Sequence, residues 1–451
     1  MNTQNLYDEM INSVPAYASF LKGSNVISKA VFEELPLMNK QNYLLKFPTK
    51  MLCRGGTIDG CHLIGASSGF SKSGSVFWPK RPIDERDYVK SIETMFIDYY
   101  GIDRKKTLIF VCLAFGTWIG GMQIASAVRT LASSGIHPIT VATPGLNIKE
   151  SIDIYESFSE EFDQFMWITN PSNVNIISYL LDKRKLDYKN GNIYFPVVGE
   201  YFSENMREKI AADFGHEKSS EFCLWTGYGS ADTGDLGAET TTTIRLRKFF
   251  NENPQLCEEI FKLKSPPMLL EMTSKSFIEI IDGRIVVTKD QMIPLMRYDT
   301  GDSGGIIEKK DIKNFLQDSL YKELPDRILF VNGRASDAII FYGTNLMVNS
   351  INDFLLKLEE DMAYGGYFEI EEINSDSFAS YKIVISIKGK PEELLRKKYQ
   401  NMVIEFLKKQ SREFSLKYSA LSNSIGDDLI KVELKEIETD DVKLKHKFIR
   451  R

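Results

Sequence analysis

The chain has 451 residues and a formal net charge of −6. Its length exceeds what one hydrophobic core usually serves, so two or three domains are expected. Hydrophobic residues make up 43% and charged residues 26%, as in an ordinary globular enzyme, and the acidic balance argues against a nucleic-acid partner. Five scattered cysteines indicate reduced thiols in the cytoplasm, and four histidines make a zinc site unexpected.

Apolar periodicity predicts helices and strands along most of the chain. Helices are predicted over 6–22, 26–45, 122–134, 149–162, 172–183, 203–214 and 392–409. Strands are predicted over 108–113, 138–141, 164–168, 193–198, 222–225, 268–272, 276–281, 284–288, 381–387 and 428–434. Strands and helices alternate in the first half, which favours parallel sheets, whereas the strands after about residue 265 follow one another as in antiparallel sheets.

These elements predict an α/β fold with two unequal domains. Residues 1–333 are expected to form a large N-terminal domain of mixed and parallel sheets flanked by helices. Residues 338–451 are expected to form a small α+β domain, and the boundary between the two domains is expected at the turn 333–337.

One apolar segment needs to be weighed against a membrane span. Residues 107–122 approach the length of a transmembrane helix. The segment begins with β-branched and aromatic residues and breaks at Gly116, so a buried strand, a glycine turn and a helix are predicted instead. The first twenty residues contain Asp8 and Glu9 and no apolar run, so no signal peptide is expected. We therefore predict a cytoplasmic protein with no membrane partner.

Two turns near the end of the large domain carry the most informative motifs. An apolar strand start runs into a Tyr-x-Thr-Gly-Asp turn that ends at Asp302, and a later Gly-Arg-x-x-Asp turn presents Arg334. A carboxylate can accept two hydrogen bonds from a vicinal diol, and a guanidinium fork suits a phosphate or a ribose. The pair therefore predicts a ribose site for a nucleotide, although a Thr-Gly-Asp sequence also occurs in ordinary polar hairpins.

A loop of glycines and hydroxyl residues spans 65–75, after the strand-like Leu63-Ile64. Backbone N–H groups and short side-chain donors in such a loop can bind a triphosphate, although the Walker spacing does not fit. Two alternatives stay open, namely an exposed linker and a hydrolase nucleophile at Ser67, since Gly-x-Ser-x-Gly is also present. The candidate phosphate ligands in this loop are Ser67, Ser68, Gly69, Ser71 and Lys72.

A third motif, residues 225–232, places an aromatic residue, two glycines and an acid after a predicted strand. Tyr228 is suited to stack on a purine, and Asp232 is suited to bind magnesium through a carboxylate oxygen. A polar turn between a strand and a loop is the alternative interpretation.

Taken in chain order, these motifs resemble those of the phenylacetate–CoA ligase-like branch of the adenylate-forming superfamily. The superfamily also contains acyl-CoA synthetases, luciferases and the adenylation domains of peptide synthetases. The similarity covers most of the chain. Its segments are the phosphate loop 66–74, the acyl-pocket stretch 115–121, the adenine-flanking loop 199–207, the adenine and magnesium motif 228–232, and the ribose and hinge motifs 294–302 and 333–337.

The resemblance implies a two-step reaction, in which the small C-terminal domain 338–451 is a mobile lid that rotates about the hinge 334–337 between the steps. A carboxylic acid attacks the α-phosphorus of ATP to give an acyl-adenylate and pyrophosphate, and a thiol then displaces AMP. ATP and Mg²⁺ are the implied cofactors, and coenzyme A is the implied co-substrate. A carrier-protein thiol or an amine as the acceptor stays open, as does a degenerate homologue that binds nucleotide with little turnover. A monomer and a homodimer are both compatible with the resemblance.

The resemblance also assigns roles to particular residues. The implied ATP or AMP ligands are Ser67, Ser68, Gly69, Ser71, Lys72, Gly199, Glu200, Tyr228, Gly229, Ser230, Asp302 and Arg334. The implied substrate pocket comprises Phe115, Trp118, Gly120, Gly121 and Trp225, whose aromatic rings suit a planar aryl acid. Asp232 is the implied metal ligand, and Lys443 and Lys445 compete for the role of the catalytic lysine.

The chain departs from the family pattern at several of these positions. Lys72 stands where relatives have glycine, Asp232 replaces a glutamate, and Ser336 occupies the hinge position that is acidic or basic in many relatives. No glycine precedes Lys445 to fix the register of the tail. These departures bear on the efficiency of the ATP half-reaction more than on the fold.

Overall fold

The computed structural model describes most of the chain, and the segments it describes are 2–24, 31–66, 76–117, 119–216, 221–263, 265–334, 338–341, 344–358, 362–374, 379–410, 414–415, 418–419, 422, 429–437 and 449–450. Thirteen α-helices lie in these segments. They are α1 Thr3–Ser13, α2 Pro15–Gly23, α3 Thr49–Leu52, α4 Pro82–Tyr100, α5 Ile119–Ser133, α6 Ile148–Phe158, α7 Pro171–Lys183, α8 Glu204–Asp213, α9 Thr241–Glu252, α10 Pro254–Phe261, α11 Asp318–Glu323, α12 Val348–Leu356 and α13 Glu393–Gln410.

Nineteen strands lie in the same described segments. They are β1 Leu63–Ala66, β2 Phe77–Lys80, β3 Thr107–Val111, β4 Ile139–Ala142, β5 Gln164–Ile168, β6 Ile193–Val197, β7 Leu224–Ser230, β8 Gly234–Ala238, β9 Met268–Met272, β10 Ser276–Ile281, β11 Arg284–Lys289, β12 Leu295–Glu308, β13 Arg327–Arg334, β14 Ala338–Phe341, β15 Thr344–Met347, β16 Tyr364–Asn374, β17 Ala379–Ile387, β18 Ile430–Glu436 and β19 Ile449–Arg450.

The main sheet has eleven strands in the order β10-β11-β12-β13-β9-β8-β7-β6-β5-β3-β4. Strands β3 to β7 run parallel to their neighbours on one side of the sheet, and the strands from β8 to β13 pair antiparallel on the other. Strand β7 is the change-over, because it is parallel to β6 and antiparallel to β8. The predicted α/β fold with mixed sheets and flanking helices is therefore confirmed.

The parallel half forms because its strands are short apolar runs that can be covered on both faces. Every residue of β3 and of β5 is buried. Between these strands and the covering helices, Phe110 and Trp167 stack with ring centroids 4.3 Å apart. The predicted strand, glycine turn and helix over 107–122 are confirmed, with Gly116 at a φ of 94°. In the described segments, no helix has both the length and the apolarity that a membrane crossing needs.

The C-terminal part has sheets and a hydrophobic core of its own. Strands β14 and β15 pair as a hairpin, and a separate four-stranded sheet has the order β18-β17-β16-β19. Helices α12 and α13 bury their apolar faces against that sheet, with Ile351, Tyr399 and Val403 inside. This part packs on two helices that flank the large sheet, through β16 against α7 and through α12 against α8. The domain limits at 333 and 338 stay predictions, and most of the predicted hinge, 335–337, lies outside the described residues.

Two sequence predictions about local structure are wrong. The helix predicted over 26–45 is absent from its described part, where a 3₁₀ turn at Phe32–Glu34 and a π-helical turn at Lys40–Leu44 are joined by extended chain. Pro36 explains the interruption, because proline lacks an N–H donor and pushes the preceding Leu35 out of helical geometry. The turn predicted before Asp302 is instead an irregularity within the fourteen-residue strand β12.

Candidate functional site

The site-bearing hairpin, β7 and β8, extends from the end of the parallel half of the sheet. The predicted strand over 222–225 continues to Ser230, because Gly229 lets β7 lie very close to β8. A Cβ at Gly229 would lie 2.4 Å from the carbonyl oxygen of Gly234, so only glycine fits. At the tip, the Ser230 hydroxyl accepts hydrogen bonds from the backbone N–H groups of Asp232 and Thr233, both at 3.2 Å. The tip therefore presents Asp232 in a defined turn.

Strand β12 presents the second acidic motif at a local irregularity within the strand. Gly301 has a φ of 78°, a conformation that glycine adopts without strain. The Gly301 N–H donates to the Asp299 carboxylate at 3.0 Å, and the Asp302 N–H donates to the Thr300 hydroxyl at 3.2 Å. Arg284 pairs with Asp299 at 2.5 Å. These bonds hold Asp302 at a half-exposed position, where its Cα is paired with that of Arg334 across β13.

Two hydrogen bonds join the motif at 228–232 to the motif at 298–302, with one donor in each motif. The Tyr228 hydroxyl donates to Asp302 Oδ2 at 2.7 Å, and the Tyr298 hydroxyl donates to Asp232 Oδ2 at 2.6 Å. In each motif the aspartate follows the tyrosine by four residues, and each tyrosine binds the aspartate of the other motif. The predicted adenine and magnesium motif and the predicted ribose motif thus form one cluster.

The contact between the two tyrosine–aspartate motifs requires the antiparallel half of the sheet to curl strongly. Strands β13, β9 and β8 lie between β12 and β7 in the sheet order. At about 4.8 Å per strand, a flat sheet would separate β12 and β7 by about 19 Å, too far for a tyrosine and an aspartate to meet. The tip of the hairpin closes this curl with further contacts, including one from Gln291 Nε2 to the Asp232 carbonyl at 2.7 Å.

Several predicted site residues lie on one edge of the parallel half. Phe115 follows β3, Gly199 follows β6, and Tyr228 lies near the end of β7. Parallel strands place their carboxyl ends on a common edge, and such edges bind ligands where the strand order or direction changes. Here that change occurs at β7, so the predicted acyl-pocket, adenine and ribose segments converge where a ligand site is expected.

The loop after β6 packs beside an asparagine that follows β5. Gly199 has a φ of 87°, and a Cβ there would lie 3.0 Å from Asn170 Nδ2. Asn170 is 4% exposed, and its Nδ2 donates to the Val198 carbonyl at 2.8 Å. Its Oδ1 is buried and has no hydrogen-bond partner among the described residues. Asn170 was not predicted from the sequence, and it lies beside the Gly199-Glu200 loop.

A buried network of four charges supports the hairpin from below. Arg207 pairs with Glu204 at 3.0 Å and with Glu239 at 2.5 Å, and Arg247 pairs with Glu204 at 3.1 Å. All four side chains are at most 1% exposed. Glu239 also accepts the backbone N–H of Thr226 in β7 at 3.0 Å. Helices α8 and α9 are thus tied to the strand that carries Tyr228.

The charges in this network stabilise one another against the cost of burial. Burial opposes ionisation, but Glu204 and Glu239 raise the pKa of Arg207 above its ordinary range. Burial likewise opposes ionisation of Glu204, whose pKa is nevertheless lowered by Arg207 and Arg247. Two guanidinium groups and two carboxylates leave the cluster neutral, as buried ion pairs generally require.

Solved structures show which known fold the chain shares. It matches 2-hydroxyisobutyryl-CoA ligase in the postadenylation state in complex with R3-HIB-AMP, with a TM-score of 0.67, 12% identity and coverage of 99% of this chain and 87% of that chain. The same ligase in complex with 2-HIB-AMP and CoA in the thioesterification state gives a TM-score of 0.52 at 12% identity, with the same coverage. The GH3.15 acyl acid amido synthetase in complex with 2,4-DB gives 0.56 at 14% identity, covering 97% of this chain and 87% of that chain.

The chain has the fold of the adenylate-forming ligases. No protein-family model and no curated protein matches its sequence. At 12–14% identity the structural matches establish the adenylate-forming fold, and the chemistry has to be argued from this chain's own residues.

Within the adenylate-forming fold, the predicted acyl-pocket stretch lies against the base of the predicted phosphate loop. The Ala66 N–H donates to the Thr117 carbonyl at 2.6 Å, and Gly65 packs against Ile119. A Cβ at Gly121 would lie 2.0 Å from the Ala114 carbonyl, so this glycine permits the tight start of α5. Gly120 has open space where a Cβ would lie.

Trp225 lies mostly in the interior rather than at an open surface. It is 5% exposed, its indole N–H donates to the Glu239 carbonyl at 2.8 Å, and its ring centroid lies 5.8 Å from that of Tyr99. These contacts give Trp225 a supporting role within β7, and its contribution to a substrate pocket stays a prediction.

The remaining predicted site residues have no described side chains. Outside the described residues lie Ser67, Ser68, Gly69, Ser71, Lys72, Trp118, Lys443 and Lys445. Arg334 is placed as the last residue of β13, and its side chain is not described. The phosphate-loop, tail-lysine and hydrolase interpretations therefore stay predictions.

Two lysines beside the hairpin tip were missed by the sequence analysis. Lys80, at the end of β2, is 9% exposed, and its Nζ lies 3.5 Å from the Ala231 carbonyl. Burial lowers the pKa of Lys80. The Nζ of Lys289, at the end of β11, donates to the Asp235 carbonyl at 2.9 Å, and burial lowers its pKa to about 8. No local sequence signal marks either residue, since their placement depends on how segments far apart in the chain pack together.

Proposed function

We propose that this protein uses ATP to activate an organic carboxylic acid as an acyl-adenylate and then transfers the acyl group to a thiol, with coenzyme A as the acceptor. The observation that carries the proposal is the reciprocal pair of hydrogen bonds from Tyr228 to Asp302 and from Tyr298 to Asp232. These bonds bring the two predicted nucleotide motifs together in a chain with the adenylate-forming fold. The phenylacetate–CoA ligase-like branch is the proposed relationship, on the strength of the motif order.

The first step transfers the adenylyl group. A carboxylate oxygen of the acid forms a bond to the α-phosphorus of ATP, the bond from that phosphorus to the bridging oxygen breaks, and pyrophosphate leaves. Positioning and charge stabilisation supply most of the catalysis in such transfers. Asp302 would accept hydrogen bonds from the ribose hydroxyls, Tyr228 would contact the adenine, and the Gly199-Glu200 loop would border it.

The second step forms the thioester. The thiol loses its proton, its sulfur attacks the acyl carbonyl carbon, and the bond to the AMP oxygen breaks. We propose that a small C-terminal domain, residues 338–451, moves about 334–337 between the two steps. Lys445 or Lys443 would stabilise the negative charge on the α-phosphate during the first step.

Magnesium is part of the proposal as an ion that accompanies the nucleotide. In the described segments no group of three or more His, Cys, Asp or Glu residues is arranged to hold a metal ion. Mg²⁺ commonly binds one or two carboxylates and takes its other ligands from phosphates and water. Asp232 fits the role of the single protein ligand, where the ion would offset phosphate charge.

A second acceptor class is supported by one of the structural matches. The acyl acid amido synthetase covers this chain nearly as fully as the CoA ligase does, with a TM-score of 0.56. An amine could therefore replace the thiol in the second step, with the same acyl-adenylate as the intermediate. A carrier-protein thiol is the third acceptor to be tested. We propose a cytoplasmic location, and a monomer or homodimer as the assembly.

The decisive experiment is ATP–pyrophosphate exchange with a panel of aryl, aliphatic and hydroxy acids. We expect acid-dependent exchange that is strongly weakened in Asp302→Ala, followed by AMP release when coenzyme A is added. Adding amines or a phosphopantetheinylated carrier protein instead distinguishes the acceptors. Nucleotide binding without exchange for any acid would contradict the proposal and favour a degenerate binder. Labelling of Ser67 by a fluorophosphonate would favour the hydrolase.

A further inference from the structure

The Tyr298 ring is held rigidly within β12 by its neighbours. Tyr298 is 3% exposed and packs in the core formed by the N-terminal helices. The backbone on both sides is tied to Met38, because the Met38 N–H donates to the Arg297 carbonyl at 3.1 Å and the Asp299 N–H donates to the Met38 carbonyl at 2.8 Å. A buried phenol in a fixed backbone holds its hydroxyl in one place.

Asp232 is fixed at three points, and one carboxylate oxygen is left over. Its backbone N–H donates to the Ser230 hydroxyl, its carbonyl accepts from Gln291, and its Oδ2 accepts from Tyr298. None of the described residues donates a hydrogen bond to Oδ1. The residue is half-buried, so its outer oxygen can be reached by a ligand.

We propose that Tyr298 is a positioning residue that holds Asp232 Oδ2 so that Oδ1 faces the nucleotide phosphates and the ion that accompanies them. Tyr298 itself touches neither substrate nor ion. A half-exposed aspartate can otherwise rotate about two side-chain torsions, and it would spend less time in the orientation that binds the ligand. This inference rests on the proposed function, because it assumes that the phosphates of ATP approach the hairpin tip.

The two tyrosines then have separate tasks although their bonds look alike. Tyr298 orients the carboxylate at the metal and phosphate end, and Tyr228 contacts the carboxylate at the ribose end. Removing the Tyr298 hydroxyl should change how strongly Mg²⁺ improves nucleotide binding. Removing the Tyr228 hydroxyl should instead change the discrimination between ATP and 2′-deoxy-ATP. Tyr228→Phe is therefore the matched comparison for Tyr298→Phe.

The test measures the binding of α,β-methylene-ATP by calorimetry, with and without Mg²⁺, in the wild type and in Tyr298→Phe. We expect the improvement in affinity that Mg²⁺ gives to fall about tenfold in the variant, the scale of one hydrogen bond to a charged group. Pyrophosphate exchange should slow by a similar factor, whereas conversion of a supplied acyl-adenylate to the thioester should stay within about twofold. A 4-aminophenylalanine at position 298, which retains an N–H donor, should recover part of the loss.

A double-mutant cycle separates positioning from general disruption. Once Asp232→Asn has removed the charge, adding Tyr298→Phe should cost little more, since the two residues act as one unit. Full additivity would overturn the inference, as would an unchanged Mg²⁺ effect in folded Tyr298→Phe, or equal losses in both half-reactions. If Tyr298→Phe does not fold, 4-aminophenylalanine and 4-methylphenylalanine at this position, which are similar in size, provide the same comparison.

Failure of the inference and failure of the proposed function have different signatures. Wild-type exchange with an unchanged Tyr298→Phe would overturn only the positioning role. The opposite outcome is also possible to distinguish. If none of the acids supports pyrophosphate exchange, but the effect of Mg²⁺ on analogue binding still falls in Tyr298→Phe, the positioning role is supported and the ligase function is overturned.

Discussion

The β7–β8 hairpin contacts two polar clusters that differ in burial and in net charge. Beneath it, Arg207, Arg247, Glu204 and Glu239 form a closed network that is at most 1% exposed and has no net charge. At its outer end, Asp232 and Asp302 are half-exposed carboxylates, each bound by one tyrosine from the opposite motif. The lower network is electrically neutral by itself, whereas in the upper cluster Asp232 Oδ1 has no hydrogen-bond donor among the described residues. Stability and ligand binding should therefore respond to different mutations although the clusters share one hairpin.

The largest expected effect separates stability from activity. Arg247→Met leaves Glu204 and Glu239 with one buried cation between them, so the free energy of unfolding should fall by about 3–5 kcal/mol. Urea denaturation would measure the loss. Arg245→Met is the matched control on the same helix, because Arg245 is 49% exposed and pairs with Glu221 at the surface, where such pairs contribute at most about 1 kcal/mol. Equal losses in the two variants would contradict a closed, stabilising network.

At the outer end of the hairpin, a mutation is expected to weaken ATP binding and to leave stability nearly unchanged. Asp302→Ala removes the acceptor for the ribose hydroxyls, so ATP binding or activation should weaken by about 2–4 kcal/mol, with little change in unfolding. ATP titration and pyrophosphate exchange would measure it, and Asp311→Ala, at an exposed position after β12, serves as the control. Unchanged ATP kinetics in a folded Asp302→Ala variant would remove the ribose assignment.

The third prediction concerns acyl-adenylate formation, in which a lysine of the C-terminal part would act together with the outer cluster. Lys443→Ala or Lys445→Ala should slow acyl-adenylate formation by about 10²-fold or more, the effect of one preorganised electrostatic donor. Lys445 is favoured slightly, since Phe448 and Ile449 can anchor the chain just beyond it. Conversion of a supplied acyl-adenylate should persist in the same variant. If both single variants and the double variant adenylate at the wild-type rate, the polar hairpin operates without the tail.

Local sequence patterns were sufficient for the parallel half of the molecule. The strands predicted over 138–141 and 164–168 appear at Ile139–Ala142 and Gln164–Ile168, because short runs rich in apolar and β-branched residues favour strands. The strand predicted over 222–225 was too short, since the glycines that follow suggested a loop. In the structure those glycines allow β8 to lie close to β7, which is a property of the partner strand.

The reciprocal tyrosine–aspartate bonds could not be predicted from local patterns. They join residues 74 and 66 positions apart, across three intervening strands. The shared spacing of tyrosine and aspartate in both motifs was visible, but only the order and curl of the sheet show which aspartate each tyrosine binds. Arg247 and Glu239 were missed for a related reason, because an isolated charge in a helix or loop usually faces solvent.

The last prediction concerns Lys289, whose Nζ donates to the Asp235 carbonyl near the hairpin tip. Burial lowers its pKa from 10.5 to about 8. Between these values the unfolded chain binds more protons than the folded one, so the contribution of Lys289 makes the free energy of unfolding rise with pH in this window. Below pH 8 the lysine is charged in both states, and the cost of keeping the charge near the hairpin is present in full.

Lys289→Met should flatten this rise, and Lys289→Arg should do the same because a guanidinium stays charged throughout the window. Urea denaturation of the wild type and both variants at several pH values between 8 and 10.5 would measure the slope. The same slope in all three proteins would mean that the Lys289 amine is hydrated at the tip. The Lys289 side chain at the hairpin tip would then be as accessible to solvent as the carboxylates of Asp232 and Asp302.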